Sequence, residues 1–185
     1  MLSLTANRSP SLAILGISDA YLRRRGLKAC EEAQAAELVL ADTGAEGREF
    51  LLQSGAAGAW QALKASAAAD GITLVLESAF RSVARQTEIL RTKLDAGVSI
   101  DQALLLVAPP GYSEHHTGRA VDIGTPGSMA LEEEFETTTA YAWLRQHAGA
   151  HGFTMSYPRG NAQGYAYEPW HWCYKPGFQP ETGWD

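Results

Sequence analysis

The run Ile72-Thr73-Leu74-Val75-Leu76 constrains the fold of this chain more than any other stretch. It is short, β-branched and almost wholly apolar, which reads as a strand buried on both faces. Such a strand needs neighbours in a sheet and further layers to cover it. Its flanks supply helices. Gly55 to Asp70 is alanine-rich, with Trp60, Leu63 and Ala67 at i, i+3 and i+7, and Gly71 stops it. Ser82 caps a second helix running to Leu94, in which Val83, Ile89, Leu90 and Leu94 alternate with charges.

Downstream, Ser99 to Val107 forms a shorter helix that Pro109-Pro110-Gly111 terminates. The chain is then loop to about Arg119, a strand over Ala120–Ile123, a helix from Thr138 to His151, a strand over Phe153–Tyr157 and an aromatic strand over Tyr165–Tyr174. Helices and strands are interspersed without a βαβ period or a glycine-rich phosphate loop. The expected class is therefore α+β, a central antiparallel sheet flanked by helices. Upstream, Ser18 to Leu40 reads as a helix or strand–helix unit interrupted by Gly26, and Asp42 to Gly47 is a turn-rich break. That break divides an accessory segment, 1–47, from a main domain, 48–178, with tails at 1–10 and 179–185.

A chain of 185 residues with 45% hydrophobic and 19% charged residues is long and apolar enough for one real core. Its net charge of -6 and the lack of a basic stripe exclude a protein that tracks nucleic-acid phosphates. The triplet Arg23-Arg24-Arg25 reads as a solvated helix face. Cys30 and Cys173, with no Cys-x-x-Cys pair, read as free thiols. There is no 18-residue apolar stretch for a membrane span, and the N-terminus does not read as a signal peptide. The expected location is cytoplasmic, or periplasmic if a leader has been removed.

Two segments poor in core residues, some fifty positions apart, each offer a histidine and a carboxylate: Ser113 to Asp122, and Tyr167 to His171. Asp122 lies between Val121 and Ile123, so on a strand it faces away from both. Taken alone it is more often a wet face than a ligand. Glu168 and His171 would point to opposite faces of a regular strand, but Pro169 cannot donate a ladder hydrogen bond, and a bend there brings both to one side. A catalytic zinc site uses three protein ligands and leaves a fourth position open. His115, Asp122 and His171 are available as that set, with Glu168 left as general base.

The pattern Ser113-x-His115-x-x-Gly118-x-Ala120-x-Asp122, followed by Glu168-Pro169-Trp170-His171, resembles the VanY-type zinc D-alanyl-D-alanine carboxypeptidases and their L,D-carboxypeptidase relatives of the LAS superfamily. Ser78-Ala79-Phe80-Arg81-Ser82 with Gln86, Ala108 to Tyr112, and Phe153 to Pro158 are also similar, so the resemblance covers about Gly55 to Tyr174. It implies a hedgehog/DD-peptidase-like fold, Zn2+ on His115, Asp122 and His171, and Glu168 as catalytic base. It further implies that Arg81 receives the terminal carboxylate of the peptide, helped by Ser113. A bidentate guanidinium reads a free carboxylate better than an ammonium does. Gln86, one helical turn on, has two readings: a hydrogen bond to the substrate amide, or a solvated helix position.

His116 stands where the family usually carries Gln, and neighbouring histidines rarely bind one zinc, so it is placed beside the metal or on the cleft wall. His147 and His151 lack a carboxylate partner and read as exposed. Trp170 and Trp172 pack into the core or floor the cleft, Tyr157 lines it, and Cys173 is a buried thiol on the His171 side. The implied function is a zinc-dependent carboxypeptidase releasing C-terminal D-alanine from peptidoglycan stem peptides (muropeptides). With no export signal read, L,D cleavage of tetrapeptides in wall recycling is favoured. The alternatives are D,D cleavage of pentapeptides and an endolysin-type endopeptidase, which needs no carboxylate clamp at Arg81. A non-enzymatic binding module is disfavoured, because Glu168 and all three ligands are present.

Overall fold

The computed structural model describes residues 11–177; the two expected tails lie outside them. Helix α1 (Ser11–Ile14) leads into α2 (Asp19–Arg24), whose N-cap Ser18 accepts the Tyr21 N–H. Gly26, at φ +60°, ends α2. The expected helical stretch to Leu40 is therefore mostly not helical. Leu38–Thr43 is instead a strand, β1, paired antiparallel with β2 (Glu49–Gln53), and the Asp42–Gly47 break supplies the end of β1 and most of the turn between them. Helix α3 (Ser54–Ala69) packs on this hairpin. A bulge between Leu40 and Asp42 aims the Asp42 carboxylate at α3, where it accepts from Trp60 Nε1 (3.0 Å) and Lys64 Nζ (2.6 Å).

The main sheet contains β3 (Val75–Ser78), β4 (Ala120–Gly124), β5 (Phe153–Met155) and β6 (His171–Tyr174) in the order β3-β4-β6-β5, all antiparallel. With the helices this is the α+β class expected. The Ile72–Leu76 run departs from its reading. The strand starts at Val75, and its burial alternates because successive side chains point to opposite faces and only one face of β3 is fully covered. The strand buried on both faces is β4, all five of whose residues are buried. The Tyr165–Tyr174 strand is also shorter than expected, because residues 165–170 bend before β6 begins.

Helix α4 (Val83–Asp95) is capped by Ser82, α5 (Ile100–Leu106) by Ser99 in a box with Gln102, and α6 (Thr139–His147) by Thr138. Trp60, Leu63 and Ala67 of α3 form one buried stripe against Leu76, Val121, Ile123, Phe153 and Trp172 of the sheet. Burying a side chain such as Leu63 fully contributes roughly 1.5–3 kcal/mol. A second core joins Leu15, Ile17 and Leu22 to Leu90 of α4 and Ala103 and Leu104 of α5, so the N-terminal segment closes over this helix pair. His147 and His151 are half-buried, not exposed as expected; His147 stacks on Trp143 at 4.4 Å and donates from Nδ1 to its carbonyl. Among the described residues no helix is long and apolar enough to cross a membrane.

Candidate active site

The register of the sheet brings the two distant segments together. Asp122 of β4 is paired directly with His171 of β6 and, on its other side, with Ser78 of β3. Val121, Ile123 and Trp172 belong to the core cluster, so by strand alternation Asp122 and His171 share the opposite face. His115 arrives from a one-turn 3-10 helix, Glu114–Thr117, that leads into β4. Gly118 makes this entry possible. Its φ is +65°, and a Cβ there would sit 2.9 Å from Leu38 Cδ2 and 3.1 Å from the Gln53 nitrogen. Without a side chain its carbonyl can accept the Gln53 N–H at 2.8 Å, fastening the loop to the hairpin.

His115 Nε2 lies 3.2 Å from Asp122 Oδ2, and His171 Nδ1 lies 3.0 Å from Asp122 Oδ1. One donor atom from each residue falls within 4.8 Å of the others, and all three residues are buried. The remaining nitrogens are already used. His115 Nδ1 donates to the Ala79 carbonyl at 2.7 Å, and His171 Nε2 to Glu114 Oε2 at 2.9 Å. Each ring is thus oriented by a partner on one nitrogen and presents the other toward Asp122. Two oriented imidazoles and one carboxylate suit a divalent cation of the zinc type.

Electrostatics describe the same set. Burial favours the neutral form of Asp122, but the charge and hydrogen bond of His115, with those of His171, outweigh it and hold the carboxyl far below its usual range. Burial also opposes charge on His171, yet its hydrogen bonds to Asp122 and Glu114 raise it to about 10. Glu114 would be raised by burial, but His171 and Ser156 hold it down at about 2. His115 is lowered, chiefly by burial.

Glu168 stands beside this group, with Oε2 3.9 Å from His171 Nδ1. The bend at Pro169 has the shape expected: Glu168 N–H donates to the Tyr157 carbonyl and His171 N–H to the Glu168 carbonyl, both at 3.1 Å. Burial raises Glu168 to about 7, with Asp122 adding to the rise and His171 and Arg81 opposing it. A carboxyl poised there can both accept and return a proton near neutral pH.

Arg81 approaches from the end of β3, with Nη2 3.7 Å from Asp122 Oδ2 and donating to Ser78 Oγ at 3.1 Å. Its Nη1 donates to Gln86 Oε1 at 3.0 Å, and Gln86 Nε2 donates to the Ala108 carbonyl at 2.7 Å. Gln86 is 1% exposed, which removes the solvated reading. It braces the guanidinium from within the wall of the cleft. His116 has a matching role toward the backbone: Nδ1 donates to the Arg81 carbonyl at 2.6 Å and Nε2 accepts the Gly111 N–H at 3.1 Å, so neither nitrogen is left for a metal.

A cavity of about 540 Å³ joins these groups, with Arg81, Ser113, Glu168, Tyr157 and Trp170 in its wall beside the three donors. Trp170 therefore floors the cleft while Trp172 is core. Tyr157 lies ring to ring with His171 at 4.6 Å. Cys173 is buried, and burial with the nearby Glu114 anion pushes its thiol up to about 12; both cysteines are free. Sequence reading passed over Glu114. Its local signal is a carboxylate adjoining His115, but its partner is 57 positions away.

The family model for VanY, D-alanyl-D-alanine carboxypeptidase, matches residues 49–177. A D-alanyl-D-alanine carboxypeptidase of Enterococcus faecalis is 32% identical over 119 residues, covering 59% of this chain and 42% of that protein. The chain thus spans less than half the length of that relative. Among solved structures, the LdcB LD-carboxypeptidase aligns with a TM-score of 0.69 at 31% identity over 77% of this chain and 69% of its own. A variant of the vancomycin-resistance D,D-pentapeptidase VanY, solved with Zn(II), aligns at 0.59 and 28% identity over 78% and 82%.

Proposed function

The chain belongs to the VanY family of D-alanyl-D-alanine carboxypeptidases, and from that premise we propose that it is a zinc-dependent carboxypeptidase that releases C-terminal D-alanine from peptidoglycan stem peptides. The observation that carries this reading is the convergence of His115, Asp122 and His171 on one cavity with Glu168 and Arg81. His115 Nε2, Asp122 and His171 Nδ1 would hold the zinc. When bound, the metal supplies a Lewis acid for the scissile carbonyl and lowers the pKa of water.

The remaining chemistry belongs to the chain. Glu168, beside His171, takes a proton from the attacking water on its carboxylate and delivers it to the leaving amine. Arg81, held by Ser78 and Gln86, receives the terminal carboxylate and sets the register at the last residue, with Ser113 beside it in the wall. The two functions need separate groups, because a base must lose its charge on taking the proton while a clamp must keep its own.

Within this activity we favour L,D cleavage of tetrapeptides, supported by the likeness to the LdcB LD-carboxypeptidase. D,D cleavage of pentapeptides is the second reading, supported by the family description and by the Enterococcus relative. Mass spectrometry of tetra- and pentapeptide stems incubated with the protein separates them. Alanine loss from the tetrapeptide is the expected result, and loss from the pentapeptide alone replaces L,D by D,D.

A further inference from the structure

The Arg23-Arg24-Arg25 triplet is not uniformly a solvated face, because Arg25 is half-buried and turns inward. It lies outside the 49–177 family match, yet it packs against Tyr165, which lines the cavity. Its Nη1 donates to the Leu104 carbonyl at 2.7 Å, near the end of α5, and also contacts the Tyr21 hydroxyl. Its Nε donates to the Gln163 carbonyl. The same guanidinium lies 4.3 Å from the centre of the Tyr165 ring.

From Tyr165 the contacts continue to the metal donors. Tyr165 meets Tyr157 edge-on at 4.9 Å, and Tyr157 lies 4.6 Å from the His171 ring. Asn161 brackets Tyr165 through its amide, Ala166 N–H donates to the Leu105 carbonyl, and Glu168 N–H donates to the Tyr157 carbonyl. The segment that delivers Glu168 to the site is thus tied to α5 at Ala166 and through Arg25, and to α6 at Tyr167, whose hydroxyl meets that of Tyr141 at 2.8 Å.

We propose that Arg25 is a positioning residue of the active site: it clamps the 161–168 segment to α5 and backs the row of rings Tyr165, Tyr157 and His171. The inference rests on reading this cavity as the catalytic one. A guanidinium is needed, because one planar group serves two backbone carbonyls on its edge and an aromatic ring on its face. An ammonium is a point charge on a flexible stem and cannot do both.

The test compares wild type with Arg25→Ala, Arg25→Lys and Tyr165→Leu, reading kcat and KM for a stem peptide, zinc affinity by chelator competition and thermal stability. Arg25→Ala is expected to lower kcat roughly tenfold through misplacement of Glu168, leave KM nearly unchanged and weaken zinc binding several-fold. Arg25→Lys should stay closer to Arg25→Ala than to wild type, and Tyr165→Leu added to Arg25→Ala should cost less than the two changes separately. Wild-type kcat and zinc affinity in folded Arg25→Ala protein would overturn the proposal, whatever the loss of melting temperature. Should that variant not fold, Arg25→Lys and Tyr165→Leu decide by the same criterion. A wild type that binds zinc but releases no D-alanine contradicts the proposed function instead, and zinc affinity then still tests Arg25.

Discussion

His171 donates from Nε2 to Glu114 Oε2 at 2.9 Å while its Nδ1 faces Asp122. An ionised carboxylate only accepts, so Glu114 fixes the proton on Nε2 and leaves Nδ1 for a cation. Such a partner also raises the basicity of the ligand. Glu114→Ala is expected to lower zinc affinity by about 10–100-fold with the fold retained. Competition against a chromogenic chelator measures this, and an unchanged dissociation constant would show that the contact does not orient the ring.

The same contact predicts proton release. In the metal-free fold His171 is raised to about 10, so the imidazole is protonated at neutral pH, whereas a ligand must be neutral. Zinc binding between about pH 7 and 9 should therefore release roughly one proton. Calorimetry in buffers of different ionisation enthalpy reads this directly, and buffer-independent heats would contradict it. The signs for stability follow. His171, raised from 6.5, stabilises the metal-free protein fully below its unfolded value, and that contribution is lost as pH rises through about 10. Glu114, lowered from 4.5, stabilises it above that value, and its contribution is lost as pH falls through about 2.

Arg81 should distinguish an exopeptidase from an endopeptidase. Arg81→Ala is expected to reduce kcat/KM on a free-acid stem peptide by roughly 100-fold, the scale of losing a charge-assisted pair of hydrogen bonds. Arg81→Lys should restore little, because an ammonium lacks the fork that Ser78 and Gln86 hold. Cleavage of a stem peptide amidated at its C-terminus should be slow in wild type and insensitive to the substitution. Equal rates on acid and amide in wild type would rule out the clamp.

His116 should prove structural. It is fully buried and satisfied at both nitrogens by backbone groups of Arg81 and Gly111. His116→Ala leaves those groups unpaired and should destabilise the fold by about 1–3 kcal/mol. Zinc stoichiometry should remain one per chain, as measured by atomic absorption on the folded variant. Loss of the metal without loss of stability would make His116 a ligand after all.

Local features were legible in the sequence, and features that depend on distant partners were not. Ser82, Ser99 and Thr138 cap helices because their hydroxyls reach a backbone N–H three residues on. Pro169 signals the bend between Glu168 and His171 because its missing donor is intrinsic to it. The Ile72–Leu76 run reads as doubly buried because which faces of a sheet are covered is set by the elements packed on it, not by the strand. Gln86 reads as a possible solvated helix residue because its partner carbonyl, that of Ala108, arrives from beyond α5. Arg25 reads as one of three surface charges for the same reason. Its contacts at Leu104 and Gln163 are 79 and 138 positions away.

Zinc-dependent catalysis by Glu168 can be read from D-alanine release from a tetrapeptide stem by the purified chain, followed through removal and return of zinc and compared with Glu168→Ala. Release is expected to stop with chelation and return with one equivalent of zinc, and Glu168→Ala to bind zinc with near wild-type affinity but release no alanine. Release that persists after chelation, or that survives in Glu168→Ala, would contradict it.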